Sequence, residues 1–207
     1  MDILFIAMVI AVVLVSMTVH EAMHAYVAYW LGDDTAREQG RLTLNPIAHI
    51  DPFLSLLLPV FLAIVGAPIF GGAKPVPFNP MMVKYGEFGA ALVGIAGPLT
   101  NLALAFVLFG LWVLTGGVGF AGEALLLGVY VNLGFFIFNM LPIPPLDGSR
   151  ILYALAPDSA RRVMEFIERQ GVFLVFALVL LFSSQIGQFI VASRTVILNG
   201  FQAVFGL

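Results

Sequence analysis

Cysteine is absent from this sequence, and charged residues are few. Without cysteine the chain can form no disulfide, no thiolate nucleophile and no cysteine-ligated metal site. Only 9 lysines and arginines and 12 aspartates and glutamates occur among 207 residues, which gives a formal net charge of −3. No stretch is basic enough to neutralise a phosphate backbone, so nucleic acid is not an expected partner. Any metal site must therefore use histidine and carboxylate ligands.

Apolar residues fill most of the chain. Hydrophobic residues make up 61% and charged residues 10%, whereas soluble domains are roughly one quarter charged. This composition predicts an all-α polytopic membrane protein, embedded in the lipid bilayer, with about four to six membrane helices. We expect one domain over 1–207, with its core at 1–150 and C-terminal helices at 151–207. Hydropathy places helices near 3–31, 53–69, 86–114, 123–141 and 171–193, followed by a mixed tail at 194–207.

The segment at 53–69 has two possible topologies, because its length permits a full span while Pro59 interrupts the apolar run. If it spans, the basic residues divide between the two sides of the membrane. If it enters and returns on one side, eight basic residues share that side: Arg37, Arg41, Lys74, Lys84, Arg150, Arg161, Arg162 and Arg169. Basic loops favour the cytosolic side, so we predict a re-entrant segment and an external N-terminus, with a plain spanning helix as the alternative. Short alternating runs at 41–45 and 73–78 predict β-strand loops on the cytosolic side.

An H-E-x-x-H pattern occurs at His20, Glu21 and His24, within the first apolar segment. Residues four apart on a helix lie about 40° apart on one face, so both imidazoles can bind one Zn²⁺. Glu21 projects beside them and is free to act as a general base rather than as a ligand. The pattern alone is also compatible with a polar helix face that lines a solvated groove. Ionisable groups within a membrane span, however, are costly and usually mark function.

A catalytic zinc site has three protein ligands and one open position. The third ligand is predicted to be Asp147, which follows the helix at 123–141 in NMLPIPPLDG, with His49 in NPIAHIDP as its rival. Helix rise puts His20 about 27 Å from residue 2 and Asn139 about 24 Å from Glu123. Asp147 therefore meets His20 only if the two helices run parallel. That arrangement is obtained if 53–69 re-enters and is lost if it spans.

Asparagines in apolar helices need hydrogen-bond partners there. Asn101 in GPLTN and Asn139 in NMLPIPPLDG could direct their amides at the metal cleft, where an N–H would support an oxyanion. They could equally hold helices together, which is the interpretation we favour for Asn132. Gly94 and Gly97 predict close helix packing.

The motifs HEAMH, GPLTN and NMLPIPPLDG occur in this order, and with them the chain resembles the site-2 protease family of intramembrane zinc metalloproteases. The likeness is greatest to the short prokaryotic members without PDZ or CBS domains, and it includes GRLTLNPIAHIDP and GGAKPVPFNP. It implies one Zn²⁺ per chain held by His20, His24 and Asp147, with Glu21 as general base and Asn139 beside the metal. It also implies cleavage of transmembrane protein substrates in the cell membrane, with the active site toward the cytoplasmic side.

Two other functions stay open at this stage. A divalent-cation transporter would also place histidine and glutamate in membrane helices, but residues 3–15 offer no polar path to the outer side. A non-catalytic membrane metal-binding protein would not need Glu21 beside a complete ligand set. In a protease, the loops at 41–45 and 73–78 could offer an edge to an extended substrate or act as a plug at the cytosolic mouth.

Overall fold

Helices account for most of the computed structural model, which describes residues 3–64 and 72–207 and contains no strand among them. A π-helical turn at Pro52–Leu57 leads directly into the fourth α-helix. The α-helices are α1 Ile3–Trp30, α2 Thr35–Glu38, α3 Pro46–His49, α4 Leu58–Ile64, α5 Glu87–Leu114, α6 Gly119–Asn139, α7 Ser149–Leu155 and α8 Asp158–Phe205.

Within the part of the chain that the structure describes, four helices are long and apolar enough to cross a membrane: Ile3–Trp30, Glu87–Leu114, Gly119–Asn139 and Phe173–Phe205. They confirm the all-α membrane fold. Apolar side chains such as Ile10 on α1 and Val107 on α5 are more than half exposed. Such exposure is expected for side chains that face lipid rather than water.

The last helix extends further than the sequence predicted. Hydropathy ends it at 193, before a mixed tail, whereas α8 continues to Phe205 with breaks in its helical backbone at Gly171 and Phe182. Arg194 does not end it, because its guanidinium lies 4.6 Å above the ring of Tyr130. This cation–π contact lets a charged side chain remain on an apolar helix. The helix beyond it packs with Phe201 against the core of α5 and α6.

Helices α1 and α6 run parallel. Asn132 of α6 donates to the Ser16 hydroxyl of α1 at 2.9 Å. Further along both helices, the rings of His20 and Phe135 are in contact, with centroids 6.4 Å apart. The two helices therefore advance in the same direction, which is the arrangement that a meeting of His20 with Asp147 requires.

Helix α5 runs antiparallel to α1 and begins where α1 ends. Val93, near the start of α5, contacts His24 near the end of α1. The backbone N–H of Lys84 donates to the Leu31 carbonyl at 2.9 Å. The segment between α1 and α5 therefore leaves and returns at one end of the bundle, which we call the site end.

The described residues on the two sides of the apolar segment in this connection lie close together. Asp51 caps the segment, accepting the N–H groups of Phe53 and Leu54 at 2.9 and 2.8 Å. Gly72 donates its N–H to the Leu54 carbonyl at 3.1 Å and accepts from the Ser55 hydroxyl at 2.7 Å. Residue 72 thus lies beside the start of the segment. Residues 65–69 of the predicted re-entrant segment lie outside the described residues, and its entry into the membrane stays a prediction.

The two loops predicted to be strands do not pair as strands. The loop at 41–45 turns back on itself, with the Asn45 N–H donating to the Thr43 hydroxyl at 3.1 Å. The loop at 73–78 is extended but contains Pro75 and Pro77. Proline has no N–H to donate to a sheet ladder, so this segment keeps the extended shape without a strand partner.

Candidate active site

Helix α1 carries His20, Glu21 and His24. Its sequence contains no proline or glycine that would interrupt the helix between Ile3 and Trp30. The two histidines are therefore one turn apart on one face, and both are buried. Their ring centroids lie 4.7 Å apart with an interplanar angle of 81°.

Three possible ligand atoms converge on one point. His20 Nε2 lies 3.1 Å from His24 Nε2 and 3.1 Å from Asp147 Oδ2, and His24 Nε2 lies 3.5 Å from that oxygen. Atoms bound at about 2.0 to 2.2 Å to a tetrahedral ion are spaced about 3.3 to 3.6 Å apart. Within 3–64 and 72–207, no other group of three or more histidines and carboxylates could hold a metal. The spacing fits one zinc ion.

The second ring nitrogen of each histidine contacts an oxygen. His24 Nδ1 lies 2.7 Å from the Val93 carbonyl oxygen, and His20 Nδ1 lies 2.5 Å from Asn101 Oδ1. These oxygens can only accept, so each Nδ1 carries the proton and each Nε2 keeps a lone pair. Two lone pairs and a carboxylate oxygen that face one another this closely repel unless a cation lies between them. The chemistry of the donor set therefore fits zinc, as the spacing does.

Helix α5 passes directly behind the ligand group because it has glycine there. A Cβ at Gly97 would lie 2.4 Å from His24 Nε2 and 2.8 Å from His20 Nε2. One turn earlier, a Cβ at Gly94 would lie 3.1 Å from the backbone oxygen of Asp147. The predicted close packing at both glycines is confirmed. The sequence did not indicate that Gly97 faces the histidines themselves.

Asp147 is presented by the irregular segment that follows α6. The helix ends at Asn139, and the Gly148 N–H donates to the Asn139 carbonyl at 2.7 Å, which folds the segment back on the helix end. Burial disfavours the charged form of Asp147, but when a proton rather than a metal occupies the ligand group, the positive charge and hydrogen bonds of the His24 and His20 imidazoles outweigh it and lower the pKa of the carboxyl. Asp147 is therefore ionised at neutral pH, and only an ionised carboxylate can bind a metal.

The two candidate amides behave differently. Asn139 donates from Nδ2 to the Phe135 carbonyl one turn earlier, at 3.0 Å, and stands at the start of the segment that carries Asp147. Its role in the reaction stays a prediction. Asn101 directs its side-chain oxygen, rather than its N–H groups, at His20. Its contact with the ligand group is therefore that of an acceptor.

The Glu21 carboxylate lies against the extended segment 72–79, which we call the strap. The Val76 N–H donates to Glu21 Oε2 at 3.0 Å. The neighbouring N–H of Lys74 donates to the His49 carbonyl at 2.9 Å. These two N–H groups belong to the loop at 73–78 that could offer an edge to a substrate, and both are already hydrogen-bonded within the protein. Glu21 itself is not part of the ligand group.

Buried polar side chains near the end of α1 fasten the strap. Asp33 is fully buried and accepts the Asn79 N–H at 2.6 Å. Arg41 donates to two strap carbonyls, one of them that of Lys74. Burial lowers the pKa of Arg41, and the negative charge of Glu21 acts in the opposite direction. The sequence did not single out Asp33 or Arg41 as anchors, because an irregular loop has no periodicity that reveals which side chains are buried.

His49, the alternative third ligand, lies among the residues that anchor the strap. Its Nε2 lies 2.8 Å from the Thr43 carbonyl oxygen, and its Nδ1 lies 3.5 Å from the Arg41 guanidinium. The ring is fully buried among these contacts and is not a member of the ligand group. The geometry therefore favours Asp147 over His49 as the third ligand.

Comparison with known proteins places the chain among zinc metalloproteases. Residues 118–183 match the sequence pattern of Peptidase family M50. The chain is 43% identical over 206 residues to "Putative zinc metalloprotease YwhC" of Bacillus subtilis. The aligned region covers 93% of this chain and 90% of that protein. The chain is 34% identical over 178 residues to "Putative zinc metalloprotease Rip2" of Mycolicibacterium smegmatis, covering 84% and 66% of the two chains. No solved structure matches the chain.

Proposed function

Because the chain belongs to peptidase family M50, the site-2 protease family, and is a membrane zinc metalloendopeptidase, we propose that it cleaves transmembrane segments of other membrane proteins. The observation that carries this proposal is the depth of the ligand group. His20 lies on a helix apolar enough to span a membrane, about 25 Å from Ile3 and about 15 Å from Trp30. A peptide bond that reaches this site must lie within the thickness of the bilayer.

We assign the zinc to His20, His24 and Asp147. Zinc, when bound, supplies a Lewis acid that lowers the pKa of water and polarises a carbonyl oxygen. The three side chains are preorganised for this task, since both Nδ1 protons are held by oxygens and the carboxylate is ionised. Gly97 leaves the space on the α5 side that a side chain would otherwise fill.

Glu21 is the proposed general base. Its carboxylate accepts a proton from the attacking water and then returns that proton to the leaving amine. The Val76 N–H fixes the direction of the carboxylate, and Arg41 holds the strap backbone immediately before that donor. We further propose that Asn139 stabilises the oxyanion through an amide N–H, since it begins the same irregular segment as Asp147.

The substrate must be unwound at the scissile bond, because a transmembrane helix hides its carbonyls in its own hydrogen bonds. We propose that the products are released from the membrane in regulated intramembrane proteolysis. Comparison of membrane-protein fragments between cells that express the wild type and cells that express Glu21→Gln tests this. Fragments that end inside predicted spans and occur only with the wild type are expected. Identical fragments in the two strains would contradict the proposal.

We propose that the site end faces the cytosol and that 53–69 re-enters the membrane from that side. Eight of the nine basic residues lie in segments at the site end, and Gly72 returns beside Leu54. The chain has no cysteine, so single cysteines can be labelled without background. Cysteines at Gln39 and Lys74 should both react from the cytosol, and one at Thr115 should react from the other side. Opposite labelling of Gln39 and Lys74 would refute re-entry.

A further inference from the structure

A buried chain of hydrogen bonds runs from His20 away from the ligand group and joins α1, α5 and α6. Its other members are Asn101, Asn132 and Ser16, whose exposed fractions are 0%, 1% and 3%. None of the three takes part in the proposed proton transfer. Buried amides in apolar helices are costly unless every group is satisfied, so this set calls for a reason beyond packing.

The direction of the hydrogen bonds is fixed at Asn132. Its Nδ2 donates to the Gly128 carbonyl at 2.8 Å and to the Ser16 hydroxyl at 2.9 Å. A backbone carbonyl can only accept, so the amide nitrogen must face Gly128. The side-chain oxygen of Asn132 is then turned toward α5, where it accepts from Asn101 Nδ2 at 2.7 Å.

The orientation of Asn132 in turn fixes which side-chain atom of Asn101 faces His20. Its Nδ2 donates to Asn132 Oδ1 and, at 3.3 Å, to the backbone carbonyl of Ser16. Both of these partners are acceptors, so the amide cannot be flipped without placing two oxygens against its own oxygen. Asn101 Oδ1 is therefore the atom that faces His20 Nδ1.

We propose that Asn101 is a positioning residue that holds His20 with Nδ1 protonated and Nε2 directed at the zinc, and that Asn132 and Ser16 orient Asn101 for this purpose. The other histidine needs no such residue, because the Val93 backbone carbonyl holds His24 in the same form. The inference deepens the proposed function and rests on the same zinc site. Its test measures zinc binding rather than cleavage.

The expected loss of zinc affinity follows from what the other tautomer of His20 would present to the metal. If Nε2 of His20 carried the proton, an N–H rather than a lone pair would face the ligand group. Groups that hold a ligating histidine in its correct form contribute about 10- to 100-fold to metal affinity. We therefore expect Asn101→Leu to weaken zinc binding by this factor in chelator competition. In Asn101→Asp one oxygen still accepts from His20, and the second must carry a proton in order to donate to Asn132 and Ser16 as Nδ2 does. In this protonated form its zinc affinity should stay within about threefold of the wild type.

Asn132→Leu is the matched control for packing. It removes a buried amide from the same helix bundle, but the Ser16 carbonyl still orients Asn101. Its melting temperature should fall as that of Asn101→Leu does, while its zinc affinity falls clearly less. Equal loss of zinc affinity in the two leucine variants, or in Asn101→Asp and Asn101→Leu, would show that the loss follows packing and would overturn the inference.

A second measurement uses the unaltered protein and so does not depend on variants that fold. The sequence has only 3 histidines, so ¹⁵N NMR of ring-labelled, zinc-loaded protein resolves each tautomer. The inference predicts a protonated Nδ1 and a ligating Nε2 for His20. A His20 that ligates through Nδ1 would overturn it. A wild type that binds no zinc would overturn the proposed function as well, whereas normal cleavage with unaltered zinc affinity in Asn101→Leu would overturn only this inference.

Discussion

Gly97 should tolerate no side chain, because its Cα faces the proposed zinc ligands. In Gly97→Ala the new Cβ would lie 2.4 Å from His24 Nε2, whereas ordinary contact begins at 3.4 Å, so α5 or the imidazole must move by 3.4 − 2.4 = 1.0 Å. A zinc bond is only about 2.0 to 2.1 Å long, so a shift of this size removes His24 as a ligand. Removing a direct ligand should weaken zinc binding more than removing a residue that only orients a ligand. We therefore expect the zinc dissociation constant to rise at least about 100-fold, or by about 2.7 kcal/mol.

Gly134→Ala is the matched control, since Gly134 is also helical, on α6, and a Cβ there meets no atom within 4 Å. Alanine is favoured over glycine in a helix by up to about 1 kcal/mol, so this variant should keep its zinc and melt no lower than the wild type. Both proteins would be purified in detergent and compared by metal analysis, chelator competition and thermal unfolding. Zinc binding by Gly97→Ala within about threefold of the wild type would refute the assignment of this glycine to the ligand group.

Two further predictions separate the ligand group from the strap. Asp147→Ala should lose zinc and activity together, whereas His49→Ala should keep its zinc. Metal analysis of the purified variants tests this. Loss of zinc from His49→Ala but not from Asp147→Ala would make His49 the third ligand. Arg41→Met should keep its zinc but lower kcat by about 10- to 100-fold, because the strap no longer holds Val76 on Glu21. Arg37→Met is the control, since Arg37 is exposed and contacts Asp34 and the ring of Tyr29 rather than the strap, and it should cleave a reporter substrate at the wild-type rate.

The membrane helices and the histidines that converge with Asp147 could be predicted from the sequence, because each leaves a signal at short range. Long apolar runs define α1, α5 and α6, and the spacing of His20 and His24 places both on one helix face. Asp147 was predicted as the third ligand because the helix rise places it at about the same depth in the membrane as His20. The parallel packing of α1 and α6 then follows from the requirement that these residues meet.

Features that depend on contacts between distant segments could not be read in this way. Asp33 and Arg41 anchor a strap 46 and 33 residues further along, and no local pattern reveals such a pairing. Arg194 looked like the end of the last helix, because the stabilising ring of Tyr130 belongs to another helix. The strand predicted at 73–78 has no ladder partner among the described residues, since its alternation contains two prolines.

The central claim is that Glu21 moves the proton while His20, His24 and Asp147 hold the zinc. Wild-type protein and Glu21→Gln in liposomes with a transmembrane substrate would be compared for zinc content and cleavage rate. The substitution keeps the shape of the side chain but removes the proton acceptor, and general-base catalysis contributes about 10²- to 10⁴-fold. We predict unaltered zinc content with cleavage lower by at least about 100-fold. Loss of zinc from Glu21→Gln, or cleavage at the wild-type rate, would contradict this account.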